Sequence, residues 1–350
     1  MKILITHEIF PPEHAGGGEL LTFRIAKMLS EKGFSVKVLT TGDSKVKEYE
    51  GIQTIRLPIN RYFMNLALPQ IINHSKDADI IQTSSGNSCF PSWVAAKTLK
   101  KPVCCYVHHI LGPYWKDVRG YFAGSAFELL EKKFLSRSYD AVLFQNKSSL
   151  KLGLRAGVSK SRAHLINPGV DYKEFQMKDV KKEPFALFVG NFSMDEAMCK
   201  VKGVDYLIEA ARQMPDIKFV VVGGGDHLFK LKKNSPKNVV FAGILKRKPL
   251  IKLYNQALVY CQPSLAEGFG QALLEAMASG CSIISTIGIG QKGTLVRQKN
   301  VSDLIEAIRK TFENPSLAMR TGRENRNIAR KFTWNGFIDE LIKIYDLIKS

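Results

Sequence analysis

The sequence has 350 residues, and its 51 lysines and arginines against 32 aspartates and glutamates give a formal net charge of +19. Hydrophobic residues make up 45% and charged residues 24%, a composition that excludes long disordered regions and, at this length, predicts two domains. The six cysteines form no CxxC pair and no apolar run approaches ~18 residues, which excludes a common zinc site and a membrane span.

Short apolar runs alternate with longer helical patterns along the chain, which is typical of parallel α/β sheets. A helix is predicted over residues 19–32, and an amphipathic helix over residues 335–350. The predicted strands of the first half cover residues 3–6, 36–40, 80–83, 103–107 and 141–144. Those of the second half cover residues 185–189, 219–222, 239–242, 258–262 and 282–285, with helices over residues 204–213, 249–256 and 270–279. Both halves are therefore predicted to be doubly wound sheets, which bind ligands beyond the carboxyl ends of their strands.

The strongest local signal is segment 263–280, PSLAEGFGQALLEAMASG, which follows a predicted strand. Its glycines let a ligand approach the backbone, and the helix that begins there offers N–H groups and a dipole to a phosphate. The residues of this phosphate seat are Gly268, Phe269 and Gly270. Glu275, about a turn and a half into the helix, can hold a ribose diol, whereas Glu267 lies nearer a sugar on the phosphate. Taken singly, Glu267 is also explained as a helix-dipole partner and Glu275 as a surface residue.

The same segment resembles the glutamate-x7-glutamate signature of the retaining glycosyltransferases with the GT-B fold, the group called glycosyltransferase family 4. Glu267 and Glu275 stand at the two glutamate positions. The resemblance implies that Glu267 contacts the transferred sugar and that Glu275 contacts the ribose of the donor. A glycine triplet at 16–18 is similar to the first loop of the family, which implies that Gly17 and Gly18 approach the donor phosphates.

Two further segments extend the resemblance along the chain. NPGVD at 167–171 is similar to the family segment before the second domain, and FVGN at 188–191, followed by a lysine-glycine pair, resembles the family's phosphate-contacting pattern. This implies that Asn191 and Lys202 lie at the donor diphosphate. His108 follows a predicted strand and matches the family histidine that faces the donor sugar, although a lone histidine there is more often only a hydrogen-bonded polar residue.

Three departures from the family pattern bear on activity. Asn191 replaces the usual arginine and is separated from Lys202 by more residues than in the family pattern, so one phosphate-binding cation is either missing or supplied by Lys200. His109 replaces the usual aspartate after His108, which points to different chemistry on the acceptor side. The glycine-rich loop of the family, with its acidic residue, is missing where residues 286–293 are compressed.

A carboxylate pair provides the one alternative metal site in the sequence. Asp77 and Asp79 have the spacing of the metal-binding aspartates of the other major glycosyltransferase fold. They lie at the entry of a predicted strand, the wrong end for a ligand in this kind of sheet. No metal or other cofactor is therefore expected, and Lys202 with the helix N-terminus is expected to neutralise the leaving diphosphate.

Aromatic and basic residues interleave between residues 113 and 139, as they do on segments that lie on anionic membranes. Core aromatics beside a solvated basic face explain the same pattern. The aromatic residues are Tyr114, Trp115, Tyr121, Phe122, Phe127 and Phe134, and the basic ones are Lys116, Arg119, Lys132, Lys133 and Arg137. The family resemblance, which includes many enzymes with membrane-embedded acceptors, favours an anionic membrane surface as a partner. No motif supports nucleic acid as a partner, although the charge alone would attract it.

These features predict a GT-B architecture of two Rossmann-like domains facing each other across a cleft. Residues 1–172 are expected to bind the acceptor, residues 173–332 the nucleotide sugar, and a helix over residues 333–350 to pack back on the first domain. The unpaired cysteines and the lack of a signal-peptide or membrane-span pattern lead us to expect a cytoplasmic protein, peripheral on the inner face of the cell membrane. The resemblance implies an enzyme that transfers a hexose with retention from a UDP- or GDP-linked donor to a hydroxyl of a lipid-linked or polysaccharide glycan. The alternatives are a GT-B sugar-nucleotide epimerase and a sugar-nucleotide-binding protein that has lost catalysis.

Overall fold

A computed structural model describes residues 1–13, 16–177, 180–192, 196–225 and 228–349, of which 197, 198, 228 and 229 are described by their backbone alone. The chain forms two compact units. Unit 1 comprises residues 1–112, 126–167 and 335–350, and unit 2 comprises residues 113–125 and 168–334. The predicted α/β class with two sheets is confirmed, one sheet lying in each unit.

Unit 1 is built on an eight-stranded sheet. Its strands are β1 (Lys2–Thr6), β2 (Ser35–Thr41), β3 (Glu48–Tyr49), β4 (Ile52–Leu57), β5 (Ile80–Ser84), β6 (Val103–Val107), β7 (Ala141–Phe144) and β8 (Ala163–Leu165). They lie in the order β3-β4-β2-β1-β5-β6-β7-β8, and the neighbouring pairs are parallel except β3 with β4. The strand order reverses between β1 and β5, so the carboxyl ends of these two strands flank the switch point where such sheets bind ligands.

Unit 2 is built on a six-stranded parallel sheet. Its strands are β9 (Glu183–Val189), β10 (Lys218–Val222), β11 (Val239–Gly243), β12 (Ala257–Gln262), β13 (Ser282–Ser285) and β14 (Gly293–Leu295). They lie in the order β11-β10-β9-β12-β13-β14, so the strand order reverses between β9 and β12. Apolar clusters cover both faces of this sheet, which explains why its inner strands read as continuous hydrophobic runs.

Helices flank both sheets. They are α1 (Gly17–Glu31), α2 (Leu68–Ser75), α3 (Cys89–Leu99), α4 (Trp115–Arg119), α5 (Tyr121–Leu135), α6 (Lys147–Arg155), α7 (Glu196–Val201), α8 (Val204–Arg212), α9 (Leu228–Lys233), α10 (Arg247–Gln256), α11 (Gln271–Ala278), α12 (Val301–Glu313), α13 (Pro315–Ala329) and α14 (Trp334–Lys349). Short 3-10 helices cover Arg61–Ala67, Gly112–Tyr114 and Lys160–Arg162. Within the described part of the chain, every helix is too short or too polar to cross a membrane.

Helix α14 contributes its apolar face to the core of unit 1. Phe337 approaches the ring of Tyr106 in β6 with centroids 6.4 Å apart, and the Tyr345 hydroxyl donates a hydrogen bond to Gln82 in β5. Both strands belong to unit 1, so α14 packs against the first sheet rather than the second.

Segment 113–125 belongs to unit 2, although it lies between elements of unit 1 in the sequence. Lys299 forms an ion pair with Asp117 at 2.7 Å, and the Tyr114 hydroxyl donates to the side chain of Gln298. These contacts attach α4 to the end of the second sheet that carries β14 and α12.

Candidate functional site

The candidate donor site in unit 2 is the loop between β12 and α11, residues 263–270. A tight turn at 201–203 fixes this loop, because the Leu265 N–H donates to the carbonyl of Val201 at 2.8 Å. Gly203 adopts a left-handed backbone conformation with φ +73°, and a Cβ at this position would overlap the carbonyl of Pro263. Only glycine allows the turn and the loop to approach this closely.

Lys202 and Glu267 meet where this turn contacts the loop. The Lys202 Nζ lies 2.9 Å from Glu267 Oε1, and the Ser264 hydroxyl donates to the same oxygen at 3.0 Å. The side chains are 27% and 12% exposed, so the pair is shielded from water but open on one side. The structure therefore brings together the two residues predicted to contact the donor diphosphate and the transferred sugar.

Helix α11 begins directly after the loop. Gly270 is its N-terminal cap, with φ +88°, and no side chain of the described residues forms a hydrogen bond that caps it. The first N–H groups of a helix have no carbonyl partner within it, so this end presents donors and a partial positive charge. Phe269 is 3% exposed and packs against Phe332 at 5.7 Å, which leaves only its main chain for a ligand beside Gly268.

Glu275 is held in a mostly buried position, its side chain being 15% exposed. The Tyr254 hydroxyl donates to Glu275 Oε2 at 3.2 Å, and Arg247 Nη1 lies 3.9 Å from Glu275 Oε1. Burial raises the pKa of Glu275 to about 7, although Arg247 and Tyr254 act in the opposite direction. This carboxylate is therefore poised to gain or lose a proton near neutral pH.

Arg247 links Glu275 to two more carboxylates. It donates to Glu174 at 2.6 Å and to Asp171 at 3.2 Å, and its guanidinium lies 5.0 Å from the ring centroid of Phe175. The sequence analysis missed Arg247 and Tyr254. Their only signal is their place on α10 beside the glutamate helix, and that proximity comes from tertiary structure rather than from a motif.

Asn191 lies two residues after β9, at the carboxyl end of the strand beside the switch point of the second sheet. The backbone around it is fixed, because the Gly190 N–H donates to Val222 at 3.0 Å and the Phe192 N–H to Gly224 at 2.9 Å. Asn191 therefore shares the carboxyl edge of the sheet with the 263–270 loop.

The compressed connection after β13 forms an ordered turn. Gln291 donates to the carbonyl of Ile287 at 2.7 Å and accepts the N–H of Ile289 at 2.7 Å. Gly293, with φ +134°, then starts β14 where a Cβ would overlap the carbonyl of Ile283. The hydrogen bonds of Gln291 thus fix this turn, and Gly293 lets the chain pack closely against β13.

In unit 1, His108 and Gly18 come together at the switch point of the first sheet. His108 Nε2 lies 3.1 Å from the Ser84 hydroxyl and 3.4 Å from that of Thr22. A Cβ added to Gly18 would lie 3.3 Å from His108 Nδ1, so the imidazole rests against the N-terminus of α1. Gly17 precedes it in the first turn of α1, where a Cβ would meet open space.

The imidazole of His108 is neutral at physiological pH. Burial first, and then the neighbouring His7 and His109, hold its pKa well below its usual range. Nε2 contacts the hydroxyls of both Ser84 and Thr22, and the Thr22 hydroxyl also donates to the carbonyl of Gly18 at 3.0 Å. Nδ1 is buried and has no hydrogen-bond partner among the residues that the structure describes.

The aspartate pair lies at the opposite edge of the first sheet. Asp79 accepts the N–H of Lys2 at 2.7 Å and lies 3.6 Å from Lys349 Nζ, and these partners lower its pKa. Asp79 thus joins β1 and α14 at the amino ends of the strands. Within the described residues, no three His, Cys, Asp or Glu side chains are grouped as metal ligands would be.

Two Rossmann-like sheets, each with polar groups at the carboxyl ends of its strands around a switch point, define a protein of the GT-B glycosyltransferase class. Residues 15–174 match the sequence model of "Glycosyltransferase Family 4", and residues 171–328 match that of "Glycosyl transferases group 1". Together the two matches cover most of the chain. The chain therefore belongs to the family 4 type of GT-B glycosyltransferases.

Relatives over the full length are also glycosyltransferases. An uncharacterized glycosyltransferase of Methanocaldococcus jannaschii is 26% identical over 99% of this chain and 98% of its own length. The N,N'-diacetylbacillosaminyl-diphospho-undecaprenol alpha-1,3-N-acetylgalactosaminyltransferase of Campylobacter jejuni is 24% identical over 96% of this chain and 97% of its own length.

Solved structures share the fold. Sucrose-phosphate synthase from Thermosynechococcus elongatus matches 99% of this chain and 98% of its own with a TM-score of 0.81 at 22% identity. HepE from Anabaena, determined in complex with UDP and glucose, matches 98% of each chain with a TM-score of 0.78 at 17% identity. These matches show the GT-B fold over the whole chain.

Proposed function

We propose that this glycosyltransferase transfers a hexose, with retention of anomeric configuration, from a UDP- or GDP-linked donor to a hydroxyl group of a lipid-linked or polysaccharide glycan. The observation that carries the proposal is the arrangement of unit 2, in which one loop brings together a lysine, a glutamate and an open helix N-terminus. The binding of UDP and glucose by HepE supports a nucleotide-sugar donor.

The donor diphosphate binds at Lys202 and the N-terminus of α11. In the structure, Glu267 neutralises Lys202 at 2.9 Å. When the diphosphate binds, Lys202 is expected to turn toward it, and Glu267, still held by Ser264, becomes an acceptor for hydroxyls of the sugar. Fixed donors at the leaving phosphate stabilise the charge that develops as the glycosidic bond breaks. Asn191 contributes an uncharged donor from the edge of β9.

Glu275 binds the ribose of the donor. A carboxylate with two oxygens accepts hydrogen bonds from both hydroxyls of a diol, as acidic residues do in dinucleotide-binding folds. Tyr254 and Arg247 fix the side chain, so its geometry is set before the nucleotide arrives.

Transfer takes place without a protein nucleophile. The bond from the anomeric carbon to the phosphate oxygen breaks, the acceptor oxygen bonds to the same face of that carbon, and the acceptor proton passes to the leaving phosphate. His108, neutral and held in place by the Ser84 and Thr22 hydroxyls, faces the donor sugar and orients its ring. Gly17 and Gly18 allow the substrate to approach the backbone at the start of α1.

We also propose that the reaction needs no metal ion. Lys202 and the α11 dipole supply the positive charge that a divalent cation would otherwise bring to the diphosphate. Activity is therefore expected to persist in an excess of EDTA, and full recovery only on adding Mg²⁺ or Mn²⁺ would contradict this.

Membrane contact on the inner face of the cell membrane is proposed through α5, which would place the enzyme in the cytoplasm. Phe122 is 88% exposed, and large apolar neighbours on the same helix are also exposed. These neighbours are Tyr121, Phe127, Leu129 and Leu130. Exposed apolar side chains beside Lys116, Lys132 and Lys133 suit an anionic bilayer. The diphospho-undecaprenol in the name of the Campylobacter relative supports a lipid-linked acceptor.

The test of the donor site is thermal stabilisation by UDP, GDP, ADP and their sugar conjugates, on the wild type and on Glu275→Ala. A ligand that binds only the folded state raises the melting temperature, because it adds about 2.7 kcal/mol to the free energy of unfolding at a hundredfold excess over Kd. One nucleotide is expected to stabilise the wild type and to lose most of its effect in Glu275→Ala. No stabilisation by any nucleotide would refute the donor site.

Transfer itself is tested with that donor and a set of lipid-linked and free glycans, the anomeric configuration of the product being read by NMR. An axial or equatorial bond matching the donor supports retention, and an inverted product refutes it. Donor binding without transfer to any glycan or to water would instead indicate a sugar-nucleotide-binding protein.

A further inference from the structure

We propose that unit 1 contains a second carbohydrate site, which binds a neutral sugar ring of the glycan acceptor. It is a cleft of about 250 Å³ beyond the carboxyl ends of β1, β2 and β4. Its walls include Ile9, Glu13, Thr41, Asn60, Arg61 and Tyr62. Pockets for drug-sized molecules enclose roughly 300–1,000 Å³, so this cleft suits a single small ring. Its role as an acceptor subsite rests on the proposed function.

The loop from β1 that forms one wall is held from beneath by a buried arginine. Arg56, at the end of β4, forms an ion pair with Glu13 and donates to the carbonyls of Pro11 and, at 3.0 Å, of Phe10. The N–H of Asp43 then donates to Glu13 at 3.2 Å. Glu13 is therefore fixed between two strand ends, and the cleft exists before a ligand arrives.

The opposite wall is the start of the 3-10 helix Arg61–Ala67. Asn60 caps this helix by accepting the N–H of Tyr62 at 3.0 Å. The Arg61 guanidinium stacks 4.8 Å from the ring centroid of Tyr62 and donates to its hydroxyl at 3.0 Å. This contact orients the tyrosine ring, which is nevertheless 58% exposed. An oriented and exposed aromatic ring offers a flat apolar surface at the mouth of the cleft.

The chemistry of these groups matches a sugar rather than an anion. A pyranose has hydroxyls that both donate and accept around its edge and an apolar C–H face, and the cleft offers Glu13 as acceptor, Arg61 as donor and Tyr62 as flat surface. Arg61 stays cationic, because although burial lowers its pKa, the hydrogen bond to Tyr62 and the carboxylates of Glu8 and Glu19 raise it. The same two carboxylates offset its positive charge, which disfavours a phosphate more than a neutral ring.

The cleft is linked to the histidine at the switch point through His7, because Ile9 in the cleft wall donates its N–H to His7 Nδ1 at 3.2 Å. His7 packs edge-on against His108 with ring centroids 5.2 Å apart, and it also feels the charges of Glu19, Glu8 and Arg61. A glycan whose reacting hydroxyl lies near His108 would thus extend past His7 into the cleft. The site therefore selects an acceptor with a neutral sugar next to the one that is modified.

The test is saturation-transfer NMR of the full-length protein with the methyl glycosides of glucose, galactose, mannose and N-acetylglucosamine, and with octyl glucoside. At least one methyl glycoside is expected to receive saturation at its ring protons. Tyr62→Ala should weaken that binding about fivefold or more, the effect of losing an aromatic partner. Tyr62→Phe should retain most of it, and Phe63→Ala, which removes an exposed neighbouring ring outside the cleft, should leave it unchanged.

Melting temperatures of all three variants show whether each is folded. The proposal is overturned if no methyl glycoside binds, if a folded Tyr62→Ala binds as the wild type does, if only the alkyl chain of octyl glucoside is saturated, or if equimolar inorganic phosphate displaces the glycoside. Nucleotide stabilisation is measured on the same samples. Glycoside binding without nucleotide binding would leave the sugar site standing and remove the proposed donor function, whereas the reverse would remove only the sugar site.

Discussion

The polar sites of the two units differ in the charge of their side chains. In unit 2 each charged candidate residue is paired with an opposite charge, Lys202 with Glu267 and Glu275 with Arg247. In unit 1 the groups around His108 are neutral, namely hydroxyls, a glycine and a second imidazole of lowered pKa. A site for a diphosphate needs cations that are held in place while it is empty, whereas a site for sugar hydroxyls needs uncharged groups of fixed direction. The fold supplies both from the same kind of sheet edge.

The largest effect that would sharpen this contrast is expected at Lys202. Lys202→Ala removes a fixed cation from the developing phosphate charge, so kcat should fall by about 100- to 1,000-fold. Steady-state transfer or donor hydrolysis measures it. Lys230→Ala is the matched control, because Lys230 also pairs with a glutamate at 2.8 Å but is exposed on α9. Equal loss in both variants would mean that the effect is not electrostatic stabilisation at the site.

Glu275 should make nucleotide binding depend on pH. Burial raises its pKa to about 7, and ribose hydroxyls donate best to the ionised form, so the nucleotide should bind about tenfold more weakly at pH 6 than at pH 8. Calorimetric titration of the stabilising nucleotide at both pH values measures this. Glu275→Gln should bind weakly and equally at both, and a wild type without pH dependence would contradict the assignment.

The same raised pKa affects folding with a defined sign. The folded state holds this proton more tightly than the unfolded state, whose carboxyl titrates near 4.5. Stability is therefore lost as the pH rises from about 4.5 to about 7 and then stays level. Glu275→Gln should lack this loss. The free energy of unfolding of the variant, measured with denaturant, should therefore rise relative to that of the wild type between pH 5 and pH 8. A constant difference between the two would indicate an ordinary carboxyl.

In unit 1, the adjacent residues Gly17 and Gly18 allow a test of the groups around His108, with a smaller expected effect. Gly18→Ala places a Cβ 3.3 Å from His108 Nδ1 and should displace the imidazole, lowering kcat/KM by about threefold to tenfold with little change in Tm. Gly17→Ala enters open space and should keep the native Tm. If Gly17→Ala weakens donor binding at that unchanged Tm, its methyl group occupies space that the substrate needs. A His108 that titrates near pH 6.5 by NMR would refute its neutral role.

The smallest effect concerns α5, outside both sites. Phe122→Ser should weaken partitioning onto vesicles with 30% phosphatidylglycerol by a few-fold, while Tm and nucleotide binding stay constant, because the exposed ring has no core contacts to lose. Ile244→Ser, which removes a side chain 81% exposed in unit 2, is the control and should not alter partitioning. Equal effects of the two substitutions would contradict the proposal that α5 contacts the membrane.

Sequence reasoning was strongest where the chain is uniformly apolar. All ten predicted strands are present, within a residue or two at each end, and nine of them are inner strands, which in a parallel sheet are hydrophobic on both faces. The strands that were not predicted are β3, β8 and β14, which lie at sheet edges, and β4, whose IQTIRL sequence contains Arg56. That arginine is buried because the Phe10 and Pro11 carbonyls and Glu13 satisfy it from a loop over 40 residues away. No local pattern shows such a long-range partner.

The same limit applied to the site. The glutamate motif was readable because Glu267 and Glu275 are near in sequence, but the meeting of Lys202 with Glu267 and the support of Glu275 by Arg247 arise only when distant segments fold together. The sugar cleft of unit 1 had no sequence signal, since its walls come from three separate strand ends.

The close approach at Gly203 has a consequence for engineering. The 201–203 turn packs on the carbonyl of Pro263 with no room for a side chain. The turn and the 263–270 loop must therefore fit each other in shape, even though about 60 residues separate them in sequence. A chimera that takes the glutamate loop from one relative and the lysine turn from another would combine two halves shaped for different partners. Donor preference should therefore be transplanted with both segments together.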